Sequence, residues 1–298
     1  MKFKELSKPL TQLFLVNSLI LVMSLSFSIT AKGAENVAMV ADIEGLGAIT
    51  IAGEDEPVDI LVELASGAEL SLGDDSKLTL FFFDSSEEYV YKGPGKILIE
   101  DQQPKLLSGK EADTRNLNMT KLADIAAEDE GGIGLGVLKL RNFEKPKLQL
   151  LSPVDTKVLA MQPEFNWLPV EGATNYKFVL SNDLGKKITD ISINENSIVL
   201  PEDTQLDFGE EYTWEIIVQT SEQTEYRAHA YFSVAEEHIS EQVESSRPDK
   251  SASFSEKVVY ARLLEKLGLK HSAKTIWQEL VALKPDSALL QIRTNTQD

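Results

Sequence analysis

The sequence predicts a mainly β protein: a small antiparallel β module, then a β-sandwich, then a short C-terminal α-hairpin. Three observations carry this. Apolar runs of four to seven residues, bounded by Gly, Asp, Asn, Ser and Pro, fill Val37 to Ser108 and return from Lys147 to Ala235. Within them side chains alternate with period two, as in AELSLG and KLTLFF, which places Leu70, Leu72, Leu78 and Leu80 on one face. After Ser253 the period becomes helical, with Val258, Ala261, Leu264 and Leu267 on one stripe and Ile276, Leu280 and Leu283 on another.

Ahead of these modules lies an export signal. MKFKELSKPLTQ carries three lysines against one glutamate, LFLVNSLILVMSLSFSI is apolar, and TAKGA supplies small residues. A cut after Gly33 puts Ala31 and Gly33 where small side chains are needed, whereas a cut after Ala34 would place Lys32 there. The alternative is an uncut anchor, because the apolar run Leu13–Ile29 is near the short limit of a span of roughly 20 residues. Both readings place the remainder outside the cytoplasm, in the periplasm or facing it.

Removing residues 1–33 leaves 25 bases against 47 acids, a net charge of −22. That balance excludes a nucleic-acid surface, which needs clustered Lys and Arg. The absence of cysteine excludes disulfides, thiolate metal sites and a Cys nucleophile. Stability must therefore come from packed cores.

The first module, 37–108, contains AMVADIEG, GAITIAG, VDILVELASG, AELSLGDDS, KLTLFFFDSS, EEYVYKGPG and KILIEDQ. Its rhythm of Gly67 before a strand, a turn at Gly73 and Asp74, an apolar strand and a polar hairpin resembles the FecR-like β module of exported bacterial proteins. The resemblance covers about seventy residues. FecR regulators also carry a cytoplasmic segment that controls a sigma factor; only about a dozen residues precede the apolar run here, so that activity is not carried over.

Residues 109–136 read as a flexible linker, since they carry several charges, few large apolar residues and no sustained period. The stretch EDEGGIGLGVLKLR at 128–141 invites comparison with a phosphate cradle. Such a cradle follows a strand and opens a helix, whereas this one follows AAEDE and leads into the alternating VLKLR, so a hinge is expected.

Residues 137–235 carry the most legible pattern. Trp167, Pro169, Gly172, Ala173 and Tyr176 resemble the W-x-P-x-x-G-A-x-x-Y pattern of fibronectin type III and related immunoglobulin-like sandwiches, and Leu206, Gly209 and Tyr212 resemble their tyrosine corner. The resemblance implies Trp167 between the sheets and the Tyr212 hydroxyl tied to the preceding backbone. It implies nothing about function.

A second linker, 236–253, precedes the hairpin at 254–298. Ala261, Leu264, Gly268, Ala273, Trp277 and Pro285 resemble one tetratricopeptide repeat, with Leu280 departing from the small residue expected there. One repeat cannot bury its own apolar face. The hairpin is therefore expected to pack on the sandwich, on a second copy, or on a partner through Tyr260, Leu264, Leu267, Trp277 and Leu280.

Chemistry-bearing constellations are sparse. The acidic groups Glu54–Glu56, Asp74–Asp75 and Glu87–Glu88 fall in hairpins, without the cleft of a glycosidase or a D-x-D-x-D-G calcium loop. His229, His238 and His271 lack ligand spacing, and no G-x-S-x-G elbow occurs. Phe81–Phe83 suit either a strand buried on both faces or an exposed patch, and Tyr89 with Tyr91 suit either a covered barrel end or a sugar platform. No catalytic residue, cofactor or metal is expected. The expectation is a non-catalytic envelope protein that binds a protein partner through its hairpin, with cell-wall glycan binding or periplasmic signal relay as alternatives. Deleting 254–298 is expected to leave both β modules folded.

Overall fold

A computed structural model describes residues 35–51, 53–117, 148–201 and 203–295. The expectations for the export segment and for the glycine-rich stretch 128–141 lie outside them.

The first module contains ten strands: β1 (Asn36–Glu44), β2 (Gly47–Ile51), β3 (Glu54–Pro57), β4 (Glu63–Ala65), β5 (Glu69–Leu72), β6 (Lys77–Phe82), β7 (Glu87–Lys92), β8 (Gly95–Ile99), β9 (Pro104–Ser108) and β10 (Asp113–Asn116). They form two five-stranded antiparallel sheets, ordered β10-β7-β6-β1-β4 and β3-β2-β5-β8-β9. Between them lies a core of Ala38, Val40, Leu64, Leu70, Leu78, Leu80, Phe82, Ile97 and Ile99. These positions confirm the period-two face read at Leu70, Leu72, Leu78 and Leu80.

The other face of β1 and β6 is apolar too. Met39, Ala41, Phe81 and Phe83 point away from the inter-sheet core into a second cluster, so the phenylalanine run belongs to a strand buried on both faces. That second cluster is completed by the C-terminal helices. Tyr89 and Tyr91 are buried, so they form no sugar platform.

The second module has strands β11 (Leu150–Ser152), β12 (Thr156–Val158), β13 (Glu164–Trp167), β14 (Ala173–Asn182), β15 (Lys187–Ile193), β16 (Ser197–Val199), β17 (Glu211–Thr220) and β18 (Glu225–Val234). Sheets β11-β13-β16 and β12-β18-β17-β14-β15 face each other, with β12 parallel to β18 and the other pairs antiparallel. This is an immunoglobulin-like sandwich. Trp167 is fully buried between the sheets, where its ring meets Tyr176 edge-on at 5.5 Å. The Tyr212 hydroxyl accepts the Asp207 N–H at 2.8 Å, closing the tyrosine corner. Trp214 Nε1 donates to the Pro153 carbonyl at 2.7 Å, which satisfies the one polar atom of that buried ring.

Four helices follow: α1 (Glu237–Ser245), α2 (Phe254–Lys266), α3 (Lys270–Leu283) and α4 (Ala288–Asn295). Ser253 starts α2 with a capping box, accepting the Glu256 N–H while the Glu256 carboxylate accepts the Ser253 N–H. Gly268, at φ +76°, makes the left-handed turn that ends α2. The helices do not rest on the sandwich alone, the first of the supports expected for them. Val258, Val259, Leu263, Leu264, Leu267, Trp277, Leu280 and Leu290 join Met39, Ala41, Ile60, Phe81 and Phe83 in one core. A polar ring surrounds it: Arg262 bonds Glu63, Lys284 pairs with Asp42 and donates to the Ile43 carbonyl at 3.1 Å, and Ser287 donates to Asp59 at 3.3 Å.

The linker boundaries shift accordingly. Residues 113–116, read as linker, pair with β7, and Arg115 there bonds buried Glu88 at 2.7 Å and the Ser253 hydroxyl at 2.7 Å. Residues 237–245, also read as linker, form α1 because Ile239 and Val243 reach the shared core. The polar neighbours of those two residues concealed the helix. The sandwich is thus inserted in sequence between two parts of one composite core. It is tied to that core where the Lys157 N–H donates to the Gly268 carbonyl at 2.9 Å.

Candidate functional site

The five residues expected to meet a partner divide in the folded protein. Leu264, Leu267, Trp277 and Leu280 are buried in the core shared with the first β module. Trp277 also donates from Nε1 to Glu265 Oε1 at 2.9 Å. Their apolar faces are consumed inside the chain, because the first module presents an apolar sheet face of matching kind. Likewise, the α3 stripe is only partly inward: Leu280 is buried, but Leu283 is 61% exposed.

Tyr260 is the exception. Its ring belongs to the core, yet it also lines a surface cleft of about 280 Å³ with Arg247, Pro248, Asp249, Lys250, Lys257, Ile276 and Glu279. Three pieces of chain build this cleft. Lys257 and Tyr260 are three apart on α2, and Ile276 and Glu279 are three apart on α3, so each pair shares one helix face. The loop from α1 to α2 forms the remaining wall. Its shape is held by Arg247, which grips Glu244 from Nε at 3.1 Å and Nη2 at 2.6 Å, and by Asp249, which accepts the Ser251 N–H and hydroxyl, each at 2.7 Å.

The cleft has unused bonding capacity. Lys250 has no hydrogen-bond or ion-pair partner among the described residues, and Lys257 reaches Glu279 only at 3.9 Å. The Tyr260 hydroxyl makes no hydrogen bond within the described residues and reaches solvent at the edge of an otherwise buried ring, the residue being 4% exposed. Burial raises the Tyr260 pKa; Arg247 opposes that shift and Glu244 adds to it. The phenol thus remains a hydrogen-bond donor at neutral pH. Three cations and two anions line the cleft, and Glu244, held by Arg247 at its edge, brings the local charges into balance.

Sequence reading missed Arg247, Lys250 and Lys257, because two lie in a stretch read as linker and the third lies off the apolar stripes. The one available signal was the three-residue spacing of Lys257 to Tyr260 and of Ile276 to Glu279. The other candidates remain apart. Glu54–Glu56 line the exposed edge strand β3, Asp74 and Asp75 form a turn, and His229, His238 and His271 lie on β18, α1 and α3. Among the described residues no group of three or more His, Cys, Asp or Glu is gathered to hold a metal, and no helix is long and apolar enough to cross a membrane.

No family model matches the chain, and neither does any curated protein sequence. Among solved structures, CopC from Methylosinus trichosporium OB3b is similar at 16% identity and a TM-score of 0.25, over 30% of this chain and 95% of that one. Murine CRIg is similar at 9% identity and a TM-score of 0.20, over 30% of this chain and 96% of that one. These are partial likenesses of fold and say nothing about activity.

Proposed function

We propose that this chain is a non-catalytic, exported protein of the bacterial cell envelope, acting as a binding or scaffold component in the periplasm. In this reading the first module is FecR-like, α2 and α3 are a tetratricopeptide-like pair, and the partner is a protein. One observation carries it. The helices spend their apolar sides on closing the first module, yet on their outward side they keep a cleft with an unpaired cation and an unbonded tyrosine hydroxyl. A purely structural closure needs no such cleft. The export pattern at residues 1–33 supports the compartment, and the scattered histidines support a role without proton-transfer chemistry.

The test is capture of the tagged full-length chain from envelope extract, followed by reconstitution with the purified candidate partner. Lys250→Glu and Lys257→Glu together should abolish the reconstituted complex while leaving the thermal midpoint unchanged. A complex indifferent to both substitutions, or sedimentation of the wild type with purified peptidoglycan alone, overturns the reading. Mass spectrometry of the mature N-terminus checks export, with cleavage expected after Gly33.

A further inference from the structure

Helices α2 and α3 begin in unlike ways. At α2 the cap is local: Ser253 accepts the Glu256 N–H, Glu256 accepts the Ser253 N–H, and the acid sits in the first turn, where the helix dipole favours it. At α3 the cap position is Leu269, which has no side-chain acceptor and is fully buried in the core shared with the first module. Packing thus claims the position that a polar cap would occupy. The first turn of α3 holds Lys270 and no acid, the wrong sign for that end of a helix. Local sequence leaves the start of α3 without an acceptor, although the first N–H groups of a helix require one.

The acceptor comes from the sandwich. Thr156, on β12 and 6% exposed, accepts the His271 N–H on Oγ1 at 3.4 Å. His271 is the second helical residue, whose amide an N-cap side chain ordinarily serves. The Thr156 hydroxyl proton has two carbonyls in reach, Lys157 at 3.0 Å and Gly268 at 3.2 Å. The Lys157 N–H donates to the same Gly268 carbonyl at 2.9 Å, and the Lys157 stem covers Gly268 so closely that a Cβ there would lie 3.6 Å from its Cγ and Cδ. Strand and turn are held in one register. We propose that Thr156 is the N-cap of α3, supplied by the sandwich in place of Leu269, so that the sandwich is a brace fixing where α3 begins. Because α3 carries Trp277 and Leu280 into the shared core and Ile276 and Glu279 to the cleft, the brace positions both.

The experiment follows amide hydrogen exchange in the full-length chain by two-dimensional NMR. In the wild type the His271 amide should be protected relative to those of Lys270 and Ser272, for which no acceptor is present among the described residues. Thr156→Val removes the hydroxyl at nearly unchanged volume, while the Gly268 carbonyl keeps its bond from Lys157. His271 should then exchange roughly fivefold faster, as for the loss of one cap bond, with Glu256 and Lys257 at the start of α2 holding the wild-type rate. Thr156→Ser should restore the protection. Lys270→Asp, which puts an acid in the first turn, should recover part of the loss in the Thr156→Val background. Three wild-type amides exchanging alike, an unchanged His271 rate in Thr156→Val, or equal acceleration at both helix starts would overturn the proposal, the last because it marks general destabilisation alone.

Discussion

Single side chains decide how far each module can be altered. The hydroxyl of Tyr212 satisfies the Asp207 N–H beside a corner, so Tyr212→Phe should lower stability by about 1 kcal/mol, read from the urea midpoint at unchanged m-value. Glu88 is 1% exposed and its Oε1 pairs with Arg115. Arg115→Ala strands that carboxylate and should cost about 2–3 kcal/mol, with Glu88→Gln in the same background restoring part of the loss. Tyr91 gives a pH signature. Burial, reinforced by Glu111, pushes its phenol up to about 12, while burial and the Glu87 carboxylate raise Tyr89 also. A folded-state pKa above the unfolded value of about 10 means the unfolded chain loses its protons first. The stability these groups contribute is thus whole below about pH 10 and disappears as pH rises toward 12. Urea midpoints should fall steeply across that window, and Tyr91→Phe should flatten the fall.

At the scale of elements, the α-hairpin was legible as helices but not as part of a core. Val258, Ala261, Leu264 and Leu267 announce a buried stripe at helical spacing, yet nothing in that spacing says which surface buries it. The clue lay far away in the sequence, in the apolar alternate positions Met39, Ala41, Phe81 and Phe83 of strands whose other face already filled one core. Deleting residues 254–298 would expose that sheet face, contrary to the expectation that both β modules survive it. The expected result is a soluble sandwich and an aggregation-prone first module, seen by circular dichroism and sedimentation of the truncated chain. Trp277→Ala should act in the same direction, at about 3–5 kcal/mol, because the ring is 1% exposed and its Nε1 bond to Glu265 is also lost. Strand β10 and helix α1 escaped sequence reading for a related reason: each is short and polar, and each is specified by a few long-range contacts, Arg115 with Glu88 for one, Ile239 and Val243 with the shared core for the other.

For the whole molecule, the order of modules along the chain differs from their grouping in space. Residues 36–117 and 237–295 share a core, and the sandwich is inserted between them in sequence while Lys157 holds the Gly268 turn after α2 and Thr156 holds the start of α3. Limited proteolysis should therefore spare 110–116, which lies within or beside the paired strand β10, and a nick in the loop 246–252 should leave the fragments associated; native gel electrophoresis of the nicked protein checks this. The sequence by itself determined the class of each module, because period two, period 3.6, Trp167 and the Tyr212 corner are local signals, each readable within a window of ten to twenty residues. The tertiary structure alone decided that Leu264, Leu267, Trp277 and Leu280 face inward and that Tyr260 faces both ways. Apolar side chains record only that they need cover. What covers them is set by the shape of a surface assembled from distant parts of the chain, and so is the cleft left over once that cover is in place.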